Sequence, residues 1–161
     1  MKYKFVKALC FSCIVASVLS CNEKKEETVA PVVDKEQIKK DIQAREDEFA
    51  TVYNAGEMKS IGYYADDATS FYPNRAPLVG KQAIVDFLKS DLISRTDKLS
   101  FTTNEVFPSS DGNQIVELGS FKLMDSANTV INTGNYMSLF EKRNGKYVCL
   151  RDMSASDIPA N

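Results

Sequence analysis

Hydrophobic and polar positions divide the chain into a helical half followed by a half that alternates with a period of two. After Asp34, apolar residues recur every three or four positions, which is the spacing of an amphipathic helix: Ile38, Ile42, Phe49, Val52 and Tyr53. Asp34 with Gln37 resembles a capping box at the helix start, and Gly56 is a natural stop. The polar face is assigned to Lys39, Lys40, Glu46, Asp47 and Glu48.

Two shorter helices and one early strand are predicted next. The second helix begins at about Glu57 and carries Met58, Ile61 and Tyr64 on one side, and a third helix follows Gly80. Between them, residues 69–72 favour a strand that Pro73 ends. We interpret Asp66 and Asp67 as turn and capping residues rather than paired catalytic carboxylates, because adjacent residues in a turn point apart.

From Leu99 onward the pattern is that of a β-meander. One face of its first strand is assigned to Leu99, Phe101, Thr103, Glu105 and Phe107. Three further strands are predicted at residues 114–124, 129–142 and 146–153, and Asn144-Gly145 is a strong hairpin signal between the last two. Helices followed by an antiparallel meander indicate an α+β fold, with three helices packed on one face of a curved sheet.

The first residues carry a separate, targeting signal. Lys2, Lys4 and Lys7 precede a short apolar stretch that ends at Cys21, and this stretch falls short of the about 20 residues needed to span a bilayer. The sequence Val18-Leu19-Ser20-Cys21 resembles a lipobox, so Cys21 is the expected lipidation site. The alternative is an ordinary signal peptide in which Cys21 is incidental.

This signal predicts both the domain division and the location. Residues 1–20 are expected to be a signal peptide, residues 21–33 the lipidated cysteine and a flexible tether, and residues 34–161 one domain. The expected location is the bacterial cell envelope, lipid-anchored to the outer membrane on its periplasmic or surface side. Cys149 is then the one cysteine left in the domain, so no intramolecular disulfide is expected.

Charge and composition exclude several chemistries. The whole chain has a net charge of −2, and removal of Lys2, Lys4 and Lys7 leaves 17 basic against 22 acidic residues, or about −5. No basic patch is evident, so nucleic acid is not an expected partner. Histidine is absent from the sequence, which removes the usual general base, and neither a metal site nor a cofactor is expected.

One block of sequence resembles the NTF2-like superfamily, within it the SnoaL-like and ketosteroid-isomerase-like branch. The block runs from Asn54-Ala55-Gly56-Glu57 through Tyr64-Ala65-Asp66-Asp67-Ala68-Thr69 and Pro73 to Gly80-Lys81. The resemblance implies an α+β cone, in which three N-terminal helices pack on a curved antiparallel sheet, with a small-molecule pocket at its mouth. It also implies that such a domain can form a homodimer through the sheet.

The acid–base groups of the ketosteroid-isomerase-like members do not carry over to this chain. The position of the first-helix tyrosine falls on Phe49, that of the base on Tyr72, and that of the protonated aspartate near Met137. Steroid-type isomerisation is therefore not expected, and the chain is interpreted as non-catalytic, with no catalytic residue assigned.

The resemblance instead predicts a pocket for a small apolar or aromatic ligand. The residues assigned to it combine aromatic and apolar side chains with two polar ones: Phe49, Tyr53, Tyr64, Tyr72, Met137, Arg75 and Asn135. Packing in the core and at the rim is the competing interpretation of the tyrosines. Two further alternatives stay open: an isomerase, dehydratase or cyclase of the SnoaL-like group, and an interaction module that dimerises through its sheet.

Overall fold

The computed structural model describes residues 33–92 and 97–159. The elements in chain order are α1 (Lys35–Asn54), a single 3-10 turn (Met58–Ser60), β1 (Tyr64–Phe71), β2 (Leu78–Val79), α2 (Lys81–Leu92), β3 (Lys98–Pro108), β4 (Gln114–Met124), β5 (Val130–Arg143) and β6 (Lys146–Ser156). The predicted signal peptide, Cys21 and nearly all of the tether lie outside the described residues.

The six strands form one sheet in the order β2-β1-β6-β5-β4-β3. Strands β3 to β6 are an antiparallel meander, as the alternating pattern predicts, and β1 joins it by pairing parallel with β6. The hairpin at Asn144-Gly145 has positive φ at both residues, as a tight two-residue turn requires. The α+β class with helices on a sheet dominated by antiparallel pairs is thus confirmed.

The described residues contain two α-helices rather than the three predicted. The segment after Gly56 makes only the 3-10 turn, after which Ile61 is already extended. Gly62 interrupts the segment, and so short a helix gains too few hydrogen bonds to persist in isolation. Met58 and Ile61 are still buried, but Tyr64 opens β1 instead of lying on a helix.

Helix α1 begins and ends where its cap residues predict. Asp34 Oδ1 accepts a hydrogen bond from the Gln37 backbone N–H at 3.0 Å, which satisfies one of the free donors of the first turn. The Gln37 side-chain amide donates to Asp41 Oδ1 at 2.8 Å, one turn further along the helix. Gly56 lies just past the end with a φ of +72°, a conformation that a side chain disfavours.

Two side chains of α1 hold the edge strand β3. Gln43 accepts from the Thr103 backbone N–H at 2.7 Å, and Asn54 both accepts from the N–H and donates to the carbonyl of Leu99. These amides pair with backbone groups that an edge strand leaves without a strand partner. They therefore fix α1 across the sheet and help to place its inner face over the concave side.

Two details of the predicted strand pattern are wrong, because the pairing of β3 and of β1 is irregular. The register of β3 shifts at Asn104, so Val106 is buried while Phe107 is exposed, the opposite of the predicted alternation. Asp66 and Asp67 lie within β1, at a shift in its pairing with β6, and both are exposed. They are strand residues rather than caps, and Asp67 forms an ion pair with Arg143.

The helices leave the second face of the sheet without cover in the described residues. Phe71, Met137 and Met153 are exposed there and line a shared groove. No helix among the described residues is both long and apolar enough to cross a membrane.

Candidate functional site

A cavity of about 320 Å³ lies between the helices and the concave face of the sheet. Helix α1 contributes Glu46, Phe49 and Tyr53, and the start of β1 contributes Tyr64 together with the preceding Tyr63. The remaining wall is formed by Tyr72, Phe87, Leu88, Leu99, Phe101, Phe121, Leu123, Asn132, Tyr136, Ser138, Asp152, Met153 and Ser154. Every major element of the described fold except β2 therefore supplies part of the wall.

Aromatic rings hold one another in place around this cavity. Phe49 is the centre, with its ring 5.0 Å from Tyr63 and 5.5 Å from Phe101, both edge to face. Tyr72 packs on Phe87 at 4.7 Å between ring centres. Edge-to-face contacts of this kind fix ring orientation as well as burying area, so the wall is pre-formed.

Two glycines allow large rings to lie flat across neighbouring strands. Gly119 in β4 is paired with Tyr136 in β5, and Gly134 in β5 is paired with Phe121 in β4. A Cβ added at Gly119 would lie 2.1 Å from Tyr136 Cζ, and one at Gly134 would lie 2.4 Å from Phe121 Cε1. Absence of a side chain at these two positions therefore brings both rings into the cavity wall.

Two buried glutamates meet at one end of the cavity. Glu46 of α1 is in the wall, and the Tyr63 hydroxyl donates to its Oε1 at 2.6 Å. Glu117 of β4 lies behind the wall and accepts from the hydroxyls of Thr103 at 2.6 Å and Tyr136 at 2.8 Å. Both side chains are almost completely buried.

A third carboxylate, Asp152 of β6, faces the cavity from the sheet. Its Oδ2 accepts from the Tyr64 hydroxyl at 2.8 Å. Its Oδ1 is buried and has no hydrogen-bond partner among the described residues, and the same holds for Ser138 Oγ in the neighbouring strand. The wall thus presents polar atoms whose bonding capacity is unused.

Burial makes these three carboxyl groups weak acids. Desolvation raises the pKa of Glu46 well above its usual value, and the nearby Glu117 adds to the shift. Burial also raises the pKa of Glu117 and of Asp152, although the hydroxyl groups that donate to them act in the opposite direction. Buried carboxyl groups with raised pKa values are typical of functional sites.

The predicted ligand residues divide into two groups. Phe49, Tyr53, Tyr64 and Tyr72 lie in the cavity wall. The other three do not: Asn135 and Met137 point to the uncovered face of the sheet, because the inward positions of β5 are those of Tyr136 and Ser138. Arg75 is exposed, with its guanidinium carbon 4.1 Å from the centre of the Phe87 ring.

The cavity contains proton-transfer groups at positions other than those that the resemblance indicates. The positions that correspond to the ketosteroid-isomerase-like acid–base groups are Phe49, Tyr72 and Met137, whereas Glu46 and Asp152 reach the cavity from other positions of the chain. Glu46 lies on the buried side of α1, between Ile42 and Phe49 in the helical repeat, and the prediction that it belongs to the polar face is wrong.

The described residues contain no group of three or more acidic or cysteine side chains that could hold a metal ion. Glu46 and Glu117 interact with each other as a pair, and Asp152 forms a separate hydrogen bond with Tyr64.

Solved structures with the same architecture identify the fold. A ketosteroid isomerase-like protein from Erwinia carotovora atroseptica is 17% identical over 75% of this chain and 97% of its own, with a TM-score of 0.61. An NTF-2 like protein of unknown function from Shewanella oneidensis MR-1 is 19% identical over 71% and 96%, with a TM-score of 0.60. An NTF2-like protein with a cystatin-like fold from Novosphingobium aromaticivorans is 11% identical over 77% and 84%, with a TM-score of 0.65.

The chain therefore has the NTF2-like fold, and the resemblance found in its sequence is confirmed at the level of fold. No family model matches the sequence, and no curated protein matches it either. Sequence identities this low support the fold alone, so the evidence for function is the cavity.

Proposed function

We propose that this domain binds a small, largely apolar molecule in the cavity between α1, α2 and the sheet. The observation that carries the proposal is the pre-formed aromatic wall, in which Phe49 is locked by its neighbours around about 320 Å³ of space. A concave site with many aromatic side chains and a few directed polar groups is the usual form of a ligand pocket.

A ligand screen by thermal shift on the purified protein tests this proposal. Tyr72→Ala removes a half-buried ring from the wall, and Phe71→Ala is its matched control, because the adjacent Phe71 lies on the opposite face of the sheet. We expect compounds that stabilise the wild type to bind the Phe71 variant equally well and the Tyr72 variant more weakly. Failure of every compound class to shift the wild type would contradict the proposal.

Acid–base catalysis is the second candidate function, favoured by the position of Asp152. One of its oxygens is held by Tyr64 and the other is unpartnered in the cavity wall, so the carboxyl can reach a bound molecule. With Glu46 in the same wall, proton removal next to a carbonyl group is a reaction that the site can support without histidine.

Deuterium exchange tests this candidate without knowledge of the natural substrate. Small ketones that bind in the screen are incubated with the protein in D₂O, and exchange at the carbon next to the carbonyl is followed by NMR. Asp152→Asn should abolish any acceleration, while Asp66→Asn, an exposed aspartate of β1, should leave it unchanged. No acceleration by the wild type with any bound ketone would favour binding alone.

We also propose that the domain is lipid-anchored in the bacterial cell envelope through Cys21. The support is the sequence of residues 2–21, in which basic, apolar and small residues precede the cysteine. Growth with an alkyne-tagged fatty acid should label the wild type and a Cys13→Ser variant. Labelling of a Cys21→Ser variant would contradict the anchor.

A homodimer through the uncovered sheet face is the last part of the proposal. Its support is the exposed apolar groove that includes Phe71, Met137 and Met153, together with the absence of a covering element in residues 33–92 and 97–159.

A further inference from the structure

The electrostatic character of the cavity narrows the kind of molecule that it can hold. Aromatic residues make up half of the residues that line the cavity. Two carboxyl groups, Glu46 and Asp152, are in the same wall, with Glu117 directly behind. None of the described residues that line the cavity is a lysine or an arginine.

The polar atoms of the wall include acceptors that no protein donor fills. Asp152 Oδ1 and Ser138 Oγ are buried in the wall, and neither has a partner among the described residues. Ser138 is almost completely buried, so leaving such atoms unpaired costs free energy. A ligand that brings hydrogen-bond donors or positive charge would recover that cost.

The same groups lack a counter-charge. Two carboxyl groups of the wall with no cationic side chain beside them resist ionisation, and burial accordingly raises the pKa values of Glu46 and Asp152. A bound cation would reverse this effect, and aromatic faces would stabilise it further through cation–π attraction. The Arg75 guanidinium already makes such a contact with Phe87, from outside the cavity.

A bare metal ion does not fit this site, since the acidic side chains of the described residues form no metal-ligating group. The apolar area of the wall instead requires a ligand with an apolar body. We therefore propose that the cavity selects an organic cation, an ammonium group carried on an apolar or aromatic body, with Asp152 as its principal counter-ion. This inference rests on the proposed function of small-molecule binding and specifies the class of ligand.

Two probes of nearly the same shape test the inference. Phenyltrimethylammonium and tert-butylbenzene differ in charge but hardly in volume, so the ratio of their dissociation constants, measured by NMR titration at pH 7.5, isolates the effect of charge. We expect the cation to bind at least about tenfold more tightly, which is the size of one good cation–π or charged contact in a desolvated site.

The Asp152→Asn variant tests whether Asp152 causes the preference for the cationic probe. It keeps an oxygen to accept from Tyr64 but removes the charge, so cation affinity should fall about tenfold while affinity for the neutral probe stays within about twofold. Asp66→Asn removes an equal charge from an exposed position of β1 and should change neither constant. If Asp152→Asn does not fold, Glu46→Gln is measured instead, with the same expected loss of cation preference.

The possible outcomes distinguish a failure of the cation inference from a failure of the proposed small-molecule binding. Equal or tighter binding of the neutral probe overturns the cation inference and leaves the pocket as a small-molecule site. A cation preference that survives both Asp152→Asn and Glu46→Gln overturns the assignment to these carboxylates. Binding of neither probe also overturns the inference, and the independent library screen then decides whether the cavity binds any small molecule.

Discussion

Tyr136 occupies the space in which a side chain at Gly119 would stand. The two residues face each other across β4 and β5, and the Tyr136 ring crosses Gly119 so closely that an added Cβ would lie 2.1 Å from Cζ and 2.3 Å from the hydroxyl oxygen. That same hydroxyl donates to Glu117 Oε1. Because Gly119 has no side chain, the Tyr136 ring can lie across it and the Tyr136 hydroxyl can reach Glu117.

Gly119→Ala should destabilise the protein, because the new methyl group and the Tyr136 ring cannot occupy the same space. Overpacking of this kind costs about 1–3 kcal/mol, and displacement of the hydroxyl would add the loss of its bond to Glu117. Urea unfolding measures the change, with Ser120→Ala, the next residue of β4, as the control. An unfolding free energy within about 0.5 kcal/mol of wild type would contradict the prediction.

Phe49→Ala should be among the most damaging single truncations in the domain. Phe49 is buried and contacts the rings of Tyr53, Tyr63, Tyr64 and Phe101, so its removal opens a void that rigid neighbours cannot fill, at a cost of about 3–5 kcal/mol. The matched change Phe71→Ala, at a ring on the uncovered sheet face, should cost far less. Similar midpoints in thermal unfolding for the two variants would argue against the central role of Phe49.

Stability should fall as the pH rises from mildly acidic to alkaline. The folded-state pKa values of Glu46, Glu117 and Asp152 are raised, so the folded chain binds more protons than the unfolded chain above the unfolded pKa values. The contribution of each group is therefore complete below its unfolded pKa and is lost as the pH passes through its folded pKa. The unfolding free energy, measured by urea titration at a series of pH values from 4.5 to 9, should decrease along the series.

Glu46→Gln isolates one part of this pH dependence. The amide cannot ionise, so the variant should lose less stability with rising pH than the wild type, while Tyr63 can still donate to the retained oxygen. Glu105→Gln, at an exposed position of β3, is the control and should follow the wild-type curve. A Glu46→Gln curve that runs parallel to wild type over the whole range would show that Glu46 does not titrate as its burial requires.

Much of the fold was predictable because its signals are local. The Asp34 cap, the Gly56 stop and the Asn144-Gly145 turn each act within a few residues, and β4 begins and ends as its period of two predicts. The prediction of a second helix was wrong, because an apolar spacing of three residues also occurs in a segment that is too short to sustain a helix.

The candidate site was harder to predict, for reasons that differ between its acids. Glu46 and Glu117 follow the buried period of their elements, the first with Ile42 and the second with Ile115, so pattern alone could have located both. Asp152 could not be found in this way. Leu150 is an extra residue in the pairing of β6 with β5, and this bulge turns Asp152 inward although strict alternation from the buried Cys149 would turn it outward.

Met137→Glu should separate the two copies of the proposed dimer. Met137 and Met153 are directly opposed on β5 and β6, and both side chains are about half exposed on the uncovered face. A carboxylate at the centre of an apolar interface would be desolvated without a partner, which costs several kcal/mol. Light scattering should therefore report a dimer for the wild type and a monomer for Met137→Glu.

Val79→Glu, at an exposed position of the edge strand β2, should stay dimeric if the sheet face alone forms the contact. A wild type that is monomeric at high micromolar concentration would remove the dimer, and the exposed apolar face would then need a different partner.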